Sequence, residues 1–128
     1  MLGRMASRAR LLSSGPSKLR CVMLNAARLD YDGRISFEKL SEVADVERHD
    51  ISKPSEVVAR LANADVVMNK EMPIPGELIR AFPDSVKLIC EAGTGYNNID
   101  LAACREKDIA VCNVPTYATE AMAHMASA

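Results

Sequence analysis

The sequence has no tryptophan, only two histidines, and no apolar stretch approaching the roughly 20 residues that a membrane-spanning helix needs. A membrane span is excluded on that ground. The four cysteines, Cys21, Cys90, Cys104 and Cys112, form no C-x-x-C pair, and His49 and His124 are too isolated to complete a zinc site with them. No metal is expected. Three of the cysteines fall inside apolar, strand-like runs, so they read as buried free thiols in a reducing compartment. Residues 1 to 29 contain no Asp or Glu but carry Arg4, Arg8, Arg10, Lys18, Arg20 and Arg28, which leaves the rest of the chain net acidic. An acidic body argues against nucleic acid as a partner, because phosphate binding needs clustered Lys and Arg on the folded face.

What is present is the composition of an ordinary globular chain of 128 residues, 48% hydrophobic and 26% charged, the size of a single lobe or of part of a larger protein. The basic, Ser-containing opening has Leu2, Met5, Ala9 and Leu12 on one helical face, the pattern of an organelle transit peptide over residues 1–17. A disordered basic tail on a cytoplasmic protein is the alternative. Mitochondrion and plastid are not distinguished.

Beyond the leader, apolar runs alternate with helix-like segments. Strands are expected at Leu19 to Ala26, Asp65 to Asn69, Val86 to Ala92 and Ile109 to Val114, with a short exposed one in "ADVERHDI". Helices are expected at Ile35 to Val43, through "SEVVARLANA" after Ser52 and Pro54, from about Pro75, and through "DLAACREK" with Asp100 as its cap. Five strand–helix alternations with few hairpin signals imply an α/β fold, a doubly wound parallel sheet covered by helices on both faces. Ligands of such sheets sit outside the carboxyl ends of the strands, so functional residues should follow Asn69, Ala92 and Val114.

The stretch "EAGTGYNNIDL" occupies one of those positions. A dinucleotide fingerprint needs G-x-G-x-x-G and an acid near the end of the next strand. Here Asn98 takes the third glycine position and the next strand ends at Asn113. What remains is a run of backbone N–H groups at Gly93, Thr94 and Gly95 with no bulky side chain in front, a nest suited to a small carboxylate. A plain turn that uses glycine for its geometry fits the same local pattern.

The segment "KLICEAGTGYNNIDLAACREKDIAVCNVPTYATEAMAHMA" closely resembles the end of the first half of the substrate-binding (catalytic) domain of NAD-dependent D-isomer-specific 2-hydroxyacid dehydrogenases. That family includes glycerate dehydrogenase, hydroxypyruvate and glyoxylate reductases, phosphoglycerate dehydrogenase and D-lactate dehydrogenase. The likeness reaches back to about Lys18. It implies a flavodoxin-like domain over residues 18–115, with the loop Gly93, Thr94 and Gly95 holding a substrate carboxylate and the turn at Asn69 and Lys70 lining the same cleft. It implies that residues 116–128 begin the helix that crosses to a nucleotide-binding domain, with Glu120 and Met122 near the cofactor cleft. Tyr96 to Asp100 are implied to support the loop and cap its helix. Glu91 stands where the family has an apolar strand residue, and strand alternation aims it away from the cleft.

The family's G-x-G-x-x-G and its catalytic Arg, Glu and His fall downstream of the crossing helix, and none is present in this sequence. No catalytic residue is therefore assigned, and His49 reads as a surface histidine. The resemblance implies NAD or NADP for the full-length enzyme, little binding of either by this chain alone, a small 2-keto or 2-hydroxy acid as ligand, and homodimers formed mainly through the lobe not encoded here. The expected function is the substrate-domain portion of such an oxidoreductase, inactive alone. A stand-alone carboxylate-binding module and a non-functional relic are the alternatives.

Overall fold

A computed structural model describes residues 18–114. The leader and the segment that holds Glu120, Met122 and His124 lie outside the described residues. Ten elements run in the order β1 (Leu19–Met23), α1 (Ala26–Leu29), α2 (Glu38–Val43), β2 (Ala44–Arg48), α3 (Pro54–Arg60), β3 (Val66–Asn69), α4 (Gly76–Arg80), β4 (Leu88–Glu91), α5 (Leu101–Glu106) and β5 (Ala110–Cys112).

The five strands form one sheet in the order β2-β1-β3-β4-β5, every pair parallel. This is the flavodoxin-like order, with the reversal of strand order falling between β1 and β3. Register places Val22, Val67, Ile89 and Val111 side by side across the sheet. These residues face the main core, which Val57 and Leu61 from α3 and its exit, Ile79 of α4, and Ala103 and Cys104 of α5 complete. The next rung, Met23, Met68, Cys90 and Cys112, points to the other face.

That other face is less covered than continuous apolar strands suggest. Val66, Met68, Leu88 and Cys90 are half-buried, and Ala110 and Cys112 are exposed. Cys112 therefore departs from the expectation of buried thiols: among the described residues β5 is an edge strand, paired on one side only. Its sulfur lies 3.4 Å from that of Cys90, and all four cysteines are free.

The strands are shorter than the apolar runs that encode them. β1 stops at Met23, and Ala26, the last residue of its apolar run, already begins the single helical turn α1. The helix expected from Ile35 starts at Glu38 and buries no residue; Ile35 and Val43 are 43% and 63% exposed. β2 is the short strand anticipated in "ADVERHDI", and it lies at the edge of the sheet. The cap of α5 is also as anticipated: Asp100 Oδ1 accepts the Ala103 N–H at 3.1 Å, satisfying a first-turn donor.

Candidate functional site

The carboxyl ends of β1, β3 and β4 converge on one edge of the sheet and carry buried polar residues there: β3 ends in Asn69, β4 in Glu91, and Asn25 follows β1 by two residues. Burying such groups is unfavourable unless hydrogen bonds replace water. The bonds they make define the site.

Asn25 holds the loop after β3. Its side-chain Nδ2 donates to the Lys70 carbonyl at 2.6 Å and its Oδ1 accepts the Lys70 N–H at 2.8 Å, so the backbone of Lys70 is clamped on both sides. The Lys70 side chain, 18% exposed, places Nζ 3.5 Å from Glu71 Oε1. Glu71 has φ +62°, a left-handed conformation uncommon for a residue with a Cβ, and its outer carboxylate oxygen pairs with Arg28 at 3.2 Å.

Asn69 and Glu91 are register partners on β3 and β4. Asn69 Nδ2 donates to Glu91 Oε2 at 2.9 Å and to the Met72 carbonyl at 3.0 Å. Asn98, from the far end of the glycine loop, repeats both contacts at 2.9 Å. The other carboxylate oxygen, Oε1, accepts the backbone N–H groups of Glu71 at 2.8 Å and of Gly93 at 3.1 Å. Strand alternation aims Glu91 away from the cleft, yet its buried carboxylate is bonded to the loops that border the cleft and lies directly beneath both.

The loop itself runs from buried Gly93 through half-buried Thr94 to exposed Gly95. Neither glycine adopts a positive φ, so conformational freedom does not explain them. A Cβ at Gly93 would lie 3.3 Å from Glu91 Oε1 and 3.4 Å from Glu71 Cγ, which makes this a position of close approach. A Cβ at Gly95 would meet nothing within 4 Å. Among the described residues, the N–H of Gly93 is taken by Glu91, while those of Thr94 and Gly95 have no acceptor. Among the described residues, the Thr94 hydroxyl and Asn69 Oδ1 are buried without a partner. The far side of the loop is tied to the end of β5: the Thr94 carbonyl accepts from Asn113 Nδ2 at 2.6 Å and the Gly93 carbonyl from the Val114 N–H at 3.1 Å.

Of the residues singled out in the sequence, Asn69, Lys70, Gly93, Thr94 and Gly95 thus fall on adjoining loops at one sheet edge. His49 does not join them; its Nε2 lies 2.9 Å from Glu47 Oε2, and the two groups pair with each other. Asn25 and the role of Glu91 were missed. The available signal was a polar residue terminating each of three apolar runs. An open groove of about 620 Å³ lies nearby, lined by Ser52, Pro54, Met72, Pro75 and Leu78, but its charged residue is Glu77, which would repel an acid.

The glycine loop does not fit a dinucleotide. Asn98, in the third glycine position, spends its side-chain N–H groups on Glu91 and Met72, and α5, which follows, has only six residues. A parallel sheet of flavodoxin-like order, with loop amides at a strand's carboxyl end that have no acceptor among the described residues, fits an α/β ligand-binding domain rather than a nucleotide-binding lobe.

Comparison with known proteins makes the assignment narrower. Residues 19–128 match the family described as D-isomer specific 2-hydroxyacid dehydrogenase, catalytic domain, and the chain belongs to that family. The hydroxypyruvate reductase of Blautia hydrogenotrophica is 33% identical over 105 residues, covering 82% of this chain and 31% of that protein. The NAD+-bound 3-phosphoglycerate dehydrogenase of Entamoeba histolytica superimposes with a TM-score of 0.63 at 30% identity, covering 76% of this chain and 33% of that one. The pyruvate reductase of Chlamydomonas reinhardtii shares the fold, with a TM-score of 0.70 at 23% identity over 86% of this chain. The chain spans about a third of the length of such relatives.

Proposed function

We propose that this chain is the substrate-domain portion of an NAD(P)-dependent D-2-hydroxyacid dehydrogenase, and that the outward N–H groups of Thr94 and Gly95 hold the carboxylate of a small 2-oxo acid such as glyoxylate or hydroxypyruvate. Lys70 contributes positive charge to the same cleft, and Asn69 supports the loop from below. The observation that carries the reading is Gly95: its backbone conformation is open to any residue and no neighbour restricts a side chain there, so what glycine preserves is access to the amides. Short amide runs of this kind recognise anions through partial positive charge.

Hydride transfer needs a bound nicotinamide and a positioned acid. In this reading both are supplied by the remainder of a full-length enzyme, and this stretch contributes the grip on the substrate's carboxylate. Glu120 and Met122 are assigned to the cofactor side only in a longer chain. A transit function for residues 1–17 belongs to the same proposal, tested by whether a fluorescent fusion of the leader enters an organelle.

Titrating the isotopically labelled chain with glyoxylate and following backbone amide resonances tests the reading. Saturable shifts centred on Thr94 and Gly95 are expected, and Gly95→Val should abolish them while leaving the fold intact. Resonances of Thr94 and Gly95 that stay still at millimolar glyoxylate would remove it.

A further inference from the structure

We infer that Glu91 is a positioning residue for the carboxylate site, an internal anion that fixes the glycine loop against the Lys70 loop and restricts the cleft to a single external carboxylate. The inference rests on the reading of Thr94 and Gly95 given above. Glu91 is 1% exposed and cannot touch a ligand, so any influence must pass through the groups bonded to it.

Those groups belong to two loops. Each carboxylate oxygen receives two N–H donors, one from the end of β3 or the loop that follows it and one from the loop after β4: Glu71 and Gly93 on Oε1, Asn69 and Asn98 on Oε2. A carboxylate has acceptor sites for four such bonds, and hydrogen bonds to a charged group are the stronger kind. Both asparagine amides use their second N–H on the Met72 carbonyl, so these donors have no alternative use within the network. Two direct backbone links, Ala92 to the Asn69 carbonyl at 2.7 Å and Ile74 to the Asn98 carbonyl at 2.8 Å, run alongside.

Three consequences follow for the cleft. Glu71 is turned into its left-handed conformation with its N–H aimed inward, an arrangement that the bond to Glu91 helps to hold. Lys70, the residue before it, is consequently fixed at a set distance from the loop, since Asn25 grips its backbone from the other side. Lastly, the Gly93 amide, which would extend the nest by one donor, is withdrawn from any ligand. What is left outward is the pair at Thr94 and Gly95, enough for one carboxylate.

The substitution Glu91→Gln preserves volume but turns an NH2 toward one of the two donor pairs. It should weaken glyoxylate binding by roughly 10-fold or more, the effect of losing a charge-assisted contact, with the circular dichroism of the folded chain retained. Glu91→Ala should lose binding as well, and formate added to that variant should occupy the vacated place, returning the Glu71 and Gly93 amide resonances toward their original positions and restoring part of the glyoxylate response. The unaltered chain with the same formate controls for competition at Thr94 and Gly95. A purely structural Glu91 predicts a different result: a lower thermal midpoint, unchanged glyoxylate affinity in the folded fraction, and no response of Glu71 or Gly93 to formate. That result overturns the inference while leaving the carboxylate site standing. Absence of glyoxylate binding by the unaltered chain overturns both.

Discussion

Gly93 and Gly95 are two residues apart and alike on paper, yet the structure asks different things of them. At Gly93 an added methyl group presses against one oxygen of a carboxylate that four N–H groups hold in place, so relaxation is limited. Gly93→Ala should destabilise the chain by about 1–3 kcal/mol in urea unfolding, the range for overpacking. Gly95→Ala should change stability by less than about 0.5 kcal/mol, as unconstrained surface positions do. Equal effects at the two sites would contradict the geometry. The cysteines offer a second residue-scale test. Burial pushes the Cys21 thiol up to about 11, and burial together with the neighbouring Cys112 sulfur pushes Cys90 up to about 12. Thiolates are the reactive form. Iodoacetamide at pH 8 should therefore modify exposed Cys112 first, with Cys21 and Cys90 protected until the chain unfolds, as mass spectrometry of timed samples would show.

At the scale of elements, the coupling between α4 and α5 depends on a glycine of another kind. A Cβ at Gly76, the first residue of α4, would lie 2.5 Å from Asp100 Oδ2, the carboxylate that caps α5. The start of one helix is thus fitted against the cap of the next, and the bridge of Ile74 to Ile99 sets the approach. Asp100→Ala should cost about 1 kcal/mol for the lost cap. Gly76→Ala should cost at least as much, and the double variant less than the sum, because both act on one contact. Additive losses in chemical unfolding would show that the two positions are independent. Element boundaries were the least readable part of the sequence. Periodicity separated strands from helices, but it extended β1 to Ala26, hiding the clamp that Asn25 places on Lys70, and it started at Ile35 a helix that begins at Glu38 and buries no residue.

For the whole molecule, the sequence carried the parallel α/β architecture because apolar runs and amphipathic segments alternate with few hairpin turns between them. It also indicated the sheet edge where Asn69, Lys70, Gly93, Thr94 and Gly95 lie. It could not show that Glu91 joins two loops, since alternation along a strand reports which face a side chain takes but not which distant loop closes over it. Nor does local pattern reveal that β5, among the described residues, is an edge, which is why Cys112 was misjudged. Charge pairing is equally a tertiary property. The Ile35 N–H and the Arg48 guanidinium hold the Asp30 carboxyl below its ordinary range, His49 and then Arg20 do so for Glu47, and the Lys53 N–H leads for Glu56. The folded chain therefore binds fewer protons than the unfolded chain in acid. The stability contributed by these groups is complete above the ordinary carboxylate range, near pH 4, and is lost as pH falls through their lower folded values. Acid titration followed by circular dichroism should show unfolding below about pH 4, with a shallower acid limb in Asp30→Asn; an unchanged limb would remove Asp30 from this account.

The uneven covering of the sheet has a practical corollary. With α3, α4 and α5 all dressing one side, Val66, Met68, Leu88 and Cys90 stay partly wetted on the other, next to open Ala110 and Cys112. A greasy slab bordered by a reactive sulfur makes concentrated, air-exposed stocks of the 128-residue chain prone to clumping, first by reversible adhesion and later through covalent cross-linking. Dilute handling with a reductant should keep light scattering flat over time, and Cys112→Ser should slow the covalent stage without preventing the first.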